Sequence, residues 1–342
     1  MNEKHTVFPH QIDVARRLSK YFSQVNVISC EYVEPTSPLP SNVQIHVSEW
    51  KYNQPIRNSV RFLRIFLAVL ATKRRLVVFS HMTEVQSALI SLITKVLNIR
   101  HYLWYAHSSR SLFLRWNSLF VSQIITSTPG SCPIKSRKVT TIGQSIDPDL
   151  FSYSQIEKDL SFNTWIHVGR IDPSKNIDVL LDLYGYFKQK KPNLTFDLYG
   201  IPTPGNETYF AEMSRKAQEI DEKGIRFRGP IVHSLIPHKL ASSNLFVHAY
   251  NGSLDKVLVE AVMSGIPVVS CNKEFIGEFK TFGNLEPSET ELLDFLIKEI
   301  EILCNLNRET IEEMLLARRI RAVANHSISN WIDKIQTILN SK

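Results

Sequence analysis

Cysteine is scarce in this 342-residue chain: Cys30, Cys132, Cys271 and Cys304 stand apart with no paired spacing, which excludes a zinc knuckle or a disulfide framework and points to a reducing cytoplasm. Long apolar runs are missing too. Nothing approaches the ~18 residues of a membrane-spanning helix, and Met1-Asn2-Glu3-Lys4 does not open a secretory leader. Neither GxxxxGK[ST] nor GxGxxG occurs, so a P-loop and a dinucleotide fingerprint are excluded. There is no internal repeat and no low-complexity tract. RNA-recognition, KH, zinc-finger and helix-turn-helix patterns are likewise absent, so no nucleic acid is expected as a partner.

With 43% hydrophobic and 21% charged residues, the chain reads as globular, and its length suits two domains of ordinary size. Its net charge of +7 is unevenly placed: residues 1–160 hold 19 Lys and Arg against 10 Asp and Glu, and residues 161–342 hold 21 against 23. A basic first half suggests an anionic partner, such as lipid head groups or a phosphorylated acceptor.

Strand-like and helix-like segments alternate along the chain, which implies parallel βαβ units. In the first half the expected helices are 11–23, 58–75 and 84–97. The expected strands are 25–29, 76–80, 100–105, 121–126 and 138–142. A doubly wound domain normally opens with a strand and a glycine turn, and nothing before Gln11 supplies either. Arg57, Arg61 and Arg64 share a stripe on the second helix, the pattern of a helix that can lie on an anionic membrane surface. His81 and His107 stand where strands give out, the edge at which open α/β sheets bind ligands. A single histidine there is usually structural; two, one of them inside YAHSSR, make a candidate site. Residues 152–163 read as a linker.

The second half opens with a strand at 165–168 and runs through Gly169-Arg170-Ile171-Asp172-Pro173-Ser174-Lys175-Asn176 into a helix at 177–188. Free N–H groups at that helix start, with a guanidinium and an ammonium beside them, would make an anion site. The other reading is an ordinary loop with two solvated cations. Further strands are expected at 194–199, 225–228, 245–248 and 268–269, with helices at 207–222, 235–241, 289–304, 309–324 and 328–339. In NGSLDKVLVEAVMSGIPVVS (251–270) a polar loop enters a short apolar helix whose one carboxylate is Glu260, and Gly265 and Pro267 stop it.

Taken in order, GRIDPSKNIDVLL, FDLYG, IRFRGPI and LDKVLVEAVMSGIPVVS resemble the motifs of retaining GT-B glycosyltransferases of family 4, within the glycosyl transferases group 1. WYAHSS, STPGS and IGQSID resemble the family's first half. The resemblance implies an α/β protein of two Rossmann-like, doubly wound domains facing a central cleft. Residues 1–155 plus 326–342 would form the acceptor-side domain, which either lacks its first strand or begins late. Residues 160–325 would form the nucleotide-sugar domain, and the last helix would return to the first domain.

By the same resemblance, Arg170 and Lys175 clamp the donor diphosphate, Glu260 bonds the ribose, and His107 sits beside the transferred sugar. Gly169, the turn Pro230-Ile231-Val232 and the loop Ser253-Leu254-Asp255-Lys256 line the donor, while His10, His81 and Ser108 fall on the acceptor side. The expected reaction moves a hexose from a nucleotide-sugar to a glycan or lipid-linked acceptor with retention. No Asp-x-Asp pair stands at a strand end, so the two cations are expected to replace a metal, and no cofactor is expected. Polysaccharide assembly for the cell envelope, in the cytoplasm or on the inner face of the membrane, is the implied setting. One position departs from the pattern: the family's first motif glutamate, eight residues before Glu260, is Gly252, with Asp255 or the loop amides as candidate substitutes. That departure and the absent strand keep open the alternative of a non-catalytic nucleotide-sugar or glycan binder.

Overall fold

The computed structural model describes residues 1, 11–51, 53–72, 75–152, 159–287 and 291–341. His10 therefore lies outside the described residues, as do positions 153–158 of the expected linker. The chain divides into two compact units, residues 1–143 with 329–342 and residues 144–328.

The N-terminal unit runs α1 (Gln11–Leu18), β1 (Val25–Ser29), β2 (Val43–Val47), α2 (Pro55–Ala71), β3 (Val77–His81), α3 (Glu84–Val96), β4 (Arg100–Trp104), α4 (Leu112–Phe120), β5 (Gln123–Thr126) and β6 (Val139–Thr141). Strands β3-β4-β5-β6 form one parallel sheet in that order, and β1-β2 form a separate parallel pair. On β4, Tyr102, Leu103 and Trp104 are all buried, the run of large apolar side chains that a strand covered on both faces requires. His101 is buried among the hydroxyls of Ser80, Ser87 and Thr94, and burial pushes its pKa down to about 4.

The C-terminal unit runs β7 (Thr164–Val168), α5 (Ile177–Lys188), β8 (Thr195–Tyr199), α6 (Glu207–Asp221), β9 (Ile225–Gly229), α7 (Ile236–Ala241), β10 (Leu245–His248), α8 (Lys256–Met263), β11 (Val268–Ser270), α9 (Lys273–Phe279), α10 (Leu292–Asn305) and α11 (Arg308–His326). Its sheet is parallel, in the order β11-β10-β7-β8-β9. One core packs Trp165, Leu180, Tyr184, Phe187 and Phe196 between the sheet and α5; a second packs Ile166, Phe246, Leu258 and Val262 beneath α8. Each such side chain contributes ~1.5–3 kcal/mol when fully buried. The last helix, α12 (Ile328–Asn340), belongs from Ser329 onward to the N-terminal unit. There Trp331 is fully buried against Phe79, His81 and Trp104.

Four elements differ from the sequence expectation, one of them helix α9, which was not expected. Helix α1 stops at Leu18 instead of residue 23, because the Asn42 amide donates to the Ser19 and Phe22 carbonyls at 2.8 and 3.0 Å and ends the helix there. Strand β2 was not expected, although Val43, Ile45 and Val47 alternate as a strand should. Helix α4 was not expected either; it is capped by Ser111, whose Oγ accepts from Leu114 N at 2.9 Å. Among the described residues no helix is long and apolar enough to cross a membrane.

Candidate functional site

Strand order in the C-terminal unit reverses between β7 and β10, which are neighbours although β8 and β9 lie between them in the chain. In open parallel sheets the loops leaving such a pair diverge and leave a crevice at the carboxyl edge. Here the two loops are 169–176 after β7 and 249–255 after β10. They are tied together: Asn176 Nδ2 donates to Ala249 O at 2.8 Å, and Lys175 Nζ donates to Asp255 Oδ2 at 2.5 Å.

Lys175 is buried, and its ammonium also lies 3.7 Å from the centre of the Tyr250 ring. It ends a 3-10 turn, Pro173–Lys175, whose start is fixed by Asp172: the carboxylate accepts from Ser174 N at 3.1 Å. Asn176 then takes a left-handed conformation (φ 49°) and turns the chain into α5.

Asp255 accepts a second bond on the same oxygen from His248 Nε2 at 3.0 Å. The ring's other nitrogen, Nδ1, lies 3.0 Å from Ser270 Oγ, which accepts from Asn272 N at 3.1 Å. That chain of donors assigns the Nε2–H tautomer to His248. Burial alone would raise the Asp255 pKa, but the His248 hydrogen bond and the Lys175 ammonium hold it far below the usual carboxylate range. Burial lowers that of His248, against the pull of Asp255. The pair is therefore an ammonium and a carboxylate resting on a neutral imidazole.

The loop itself is clamped from below. Asn272, fully buried, donates to the carbonyls of Tyr250, Gly252 and Ser253 at 3.0, 3.1 and 3.2 Å. Gln144 Nε2 donates to Leu254 O at 2.9 Å. A Cβ on Gly252 would stand 1.9 Å from Tyr250 Oη, so any side chain there must displace that ring from the Lys175 ammonium. Gly200 is required for a related reason: at φ +151° its Cβ would fall 1.7 Å from Gly169 O.

One turn into α8, Glu260 is almost fully buried, accepts from His233 Nε2 at 2.8 Å, and has Lys256 Nζ at 3.8 Å. Burial lowers the Lys256 pKa and Glu260 opposes that shift. His233 follows the turn 230–232 after β9, with Val232 exposed and Ile231 partly buried. Arg170 is half exposed and lies 3.6 Å from Asp172.

Residues 152–284 match the family model described as glycosyl transferases group 1. The C-terminal unit is a glycosyl transferases group 1 domain. No curated protein sequence matches the chain. Among solved structures, sucrose-phosphate synthase from Thermosynechococcus elongatus superposes with a TM-score of 0.75 at 14% identity, covering 95% of this chain and 90% of that one. HepE from Anabaena, solved with UDP-glucose, gives 0.67 at 16% identity over 88% and 86%. The pneumococcal O-GlcNAc transferase GtfA, solved with UDP and GlcNAc, gives 0.62 at 18% identity over 82% and 59%. At such identities the likeness speaks for the fold, which is GT-B: two Rossmann-like domains.

The group 1 domain holds Gly169, Arg170, Lys175, Pro230, Ile231, Val232, Ser253, Leu254, Asp255, Lys256 and Glu260; His81, His107 and Ser108 belong to the N-terminal unit. His107 Nδ1 accepts from Ser109 N at 3.0 Å, and Ser108 is exposed. The His81 ring stacks on Trp104 and meets Trp331 edge-on. One expectation needs correcting. The α5 N-terminus does not offer all its N–H groups to an anion, because Ile177 N donates to Tyr209 Oη at 3.2 Å. Beside that helix end stands the buried Lys175 ammonium.

Sequence reasoning missed His248, Tyr250, Asn272 and His233. HAYNG at 248–252 carried a visible signal, a polar loop leaving a buried strand. His233 and Asn272 carried none, because each acts on a residue more than 15 positions away. Among the described residues, no three His, Cys, Asp or Glu side chains gather into a metal-binding cluster.

Proposed function

We propose that the chain transfers a hexose from a uridine diphosphate sugar to a glycan or lipid-linked acceptor, with retention and without a metal. The observation that carries this reading is the buried Lys175 held by Asp255 at the switch point of a group 1 domain. Two neighbours solved with UDP support a uridine donor in this reading.

In the proposed reaction the bond between the sugar's anomeric carbon and the β-phosphate oxygen breaks, and its electron pair leaves with the diphosphate. Lys175 and Arg170 meet that growing charge. Cations fixed in place stabilise it more in the transition state than in the ground state. The acceptor hydroxyl attacks the same face, and its proton passes to the departing phosphate oxygen. No paired carboxylates are needed for this route. Glu260, with one oxygen bonded to His233, is proposed to take the ribose hydroxyls, and residues 230–232 to line the base. His107 is proposed to lie by the sugar, with Ser108 and His81 on the acceptor side. In this reading Asp255 holds the lysine and does not itself read the sugar.

The acceptor side is proposed to work on an anionic membrane surface at the cytoplasmic face. From Val85 to Ile146 the chain has no Asp or Glu and seven Lys or Arg. Within that stretch α4 exposes Leu112, Phe113, Trp116 and Leu119, a mixture of apolar and cationic groups suited to lipid head groups. The Arg57–Arg61–Arg64 stripe adds less: Arg57 and Arg64 are exposed, but Arg61 is paired with Glu49 at 2.5 Å.

A second reading has specific support. Lys175 is already neutralised by Asp255 and covered by Tyr250, and Gly252 stands in place of a glutamate; these features fit a nucleotide-sugar or glycan binder that does not turn over. Calorimetric titration with UDP-glucose and UDP-N-acetylglucosamine, followed by a donor-hydrolysis assay, separates the two. Binding with slow hydrolysis supports the enzyme. Binding with no hydrolysis and no transfer to any glycan acceptor supports the binder, and no binding by any UDP-sugar overturns both.

A further inference from the structure

His248, the last residue of β10, is fully buried with ionisable groups on several sides of its ring. Its Nε2 donates to Asp255 Oδ2 at 3.0 Å, and the same oxygen accepts from Lys175 Nζ at 2.5 Å. Asp255 comes from the loop after β10, as does Tyr250, whose ring meets the imidazole edge-on at 6.2 Å. Lys175 comes from the turn after β7, His167 from β7 itself, and Ser270 from β11.

In the free chain the three groups are balanced: one ammonium, one carboxylate, and an imidazole that burial keeps neutral against the pull of Asp255. A diphosphate that draws on Lys175 upsets that balance. It adds negative charge where Asp255 already holds the ammonium, and a buried carboxylate that loses part of its cation is strongly destabilised. A proton on the neighbouring imidazole restores the pairing and releases the ammonium to the phosphate.

His248 can take that proton without moving. Protonated at Nδ1, the ring keeps its Nε2–H bond to Asp255, which becomes charge-assisted on both sides. Ser270 Oγ, which donates to the neutral ring, turns its hydrogen away and accepts from Nδ1–H instead. A hydroxyl has two acceptor sites, and Asn272 N uses one of them. His167 does not serve in its place. Its ring centre lies 5.9 Å away, it gives Nδ1–H to Val247 O at 3.0 Å, and burial holds its pKa at about 3.

We propose that the Asp255–His248 pair takes up a proton from solvent when the diphosphate of a nucleotide-sugar engages Lys175, which makes His248 a positioning residue that acts through Asp255 on the lysine. The inference rests on the proposed donor reading of this site. No bond of the sugar donor changes in the step; an N–H bond forms at Nδ1, and the proton is counted to the pair as a unit. The sign follows: uptake favours binding at lower pH, and affinity is lost as the pH rises past the value at which the bound pair gives the proton up.

The test is calorimetric titration of the full chain with UDP-glucose, whose phosphates are bridged or esterified and so lack the ionisation near pH ~6 of a terminal phosphate. At about pH 7.5 the heats in buffers of low and high ionisation enthalpy differ by the uptake of about half to one proton, and affinity falls by up to about tenfold per pH unit above that. His248→Gln, which keeps a donor for Asp255 but takes no proton, abolishes the uptake and flattens the pH profile. His233→Gln, at the Glu260 carboxylate, leaves the uptake in place. In the unaltered chain with nitrogen-15-labelled histidine, the His248 ring signals move from neutral to imidazolium as UDP-glucose is added, a reading that needs no variant to fold. UDP-glucose bound with equal heats in both buffers and no pH dependence overturns the inference and leaves the donor reading standing. Uptake undiminished in folded His248→Gln, or lost only in His233→Gln, overturns it too. If neither UDP-glucose nor UDP-N-acetylglucosamine binds, the donor reading falls and this inference falls with it.

Discussion

Lys175 Nζ lies 2.5 Å from Asp255 Oδ2, although 80 positions separate the two residues. The contact joins the first and fourth strands of the C-terminal sheet at their carboxyl ends, and a buried ammonium needs such a partner. Breaking a buried pair by removing one member costs ~3–5 kcal/mol; with Asp255 a quarter exposed, Lys175→Met is expected to lose about 2 kcal/mol. In a double-mutant cycle with Asp255→Asn by urea unfolding, the second substitution costs less than it does alone. Simple additivity would mean the two groups do not stabilise each other.

Gly252 and Tyr250 make a steric prediction. A side chain at 252 must move the ring, so Gly252→Glu lowers stability by about 1–3 kcal/mol, the usual range for overpacking. In a Tyr250→Ala background the same substitution costs less than about 1 kcal/mol. Equal costs in both backgrounds would show that the ring does not hold that space.

Acid sensitivity starts with histidine. His101 and His167 are buried and held near pKa values of about 4 and about 3, below the ordinary 6.5, so the unfolded chain takes up protons that the folded chain refuses. Stability is complete above pH 6.5 and falls as the pH drops from there toward 4. Glu278, held at about 2 mainly by its His326 hydrogen bond, adds a later loss below its ordinary 4.5. His101→Gln flattens the thermal midpoint between pH 6.5 and 4; an unchanged slope would contradict this origin.

The membrane surface is tested by flotation with vesicles. Leu112→Ser with Trp116→Ser weakens association with phosphatidylglycerol vesicles about tenfold or more, since each substitution removes a large exposed apolar group. Binding to phosphatidylcholine is expected to be weak throughout. Vesicle binding unchanged by the pair, but lost on charge reversal at Arg57 and Arg64, would move the surface to α2.

Much of the architecture was legible because strand and helix periods differ, and runs such as Trp165–Val168 and Leu245–His248 announce buried parallel strands. Helix α4 was hidden because Leu112, Phe113, Trp116 and Leu119 are apolar on its exposed side, which erases the helical period. At the candidate site, Arg170, Lys175 and Glu260 were found through motif order. Part of what held them was not visible, because His233 and Asn272 act on residues remote in the chain.

The central claim is that Lys175 and Arg170 meet the leaving diphosphate. Its most direct test is the rate of UDP-sugar turnover, hydrolysis or transfer, in Lys175→Ala and Arg170→Ala beside the unaltered protein, with folding checked by circular dichroism. Each substitution is expected to slow turnover by ~10²-fold or more, the scale of losing one transition-state charge contact. Turnover retained in folded Lys175→Ala would contradict the assignment.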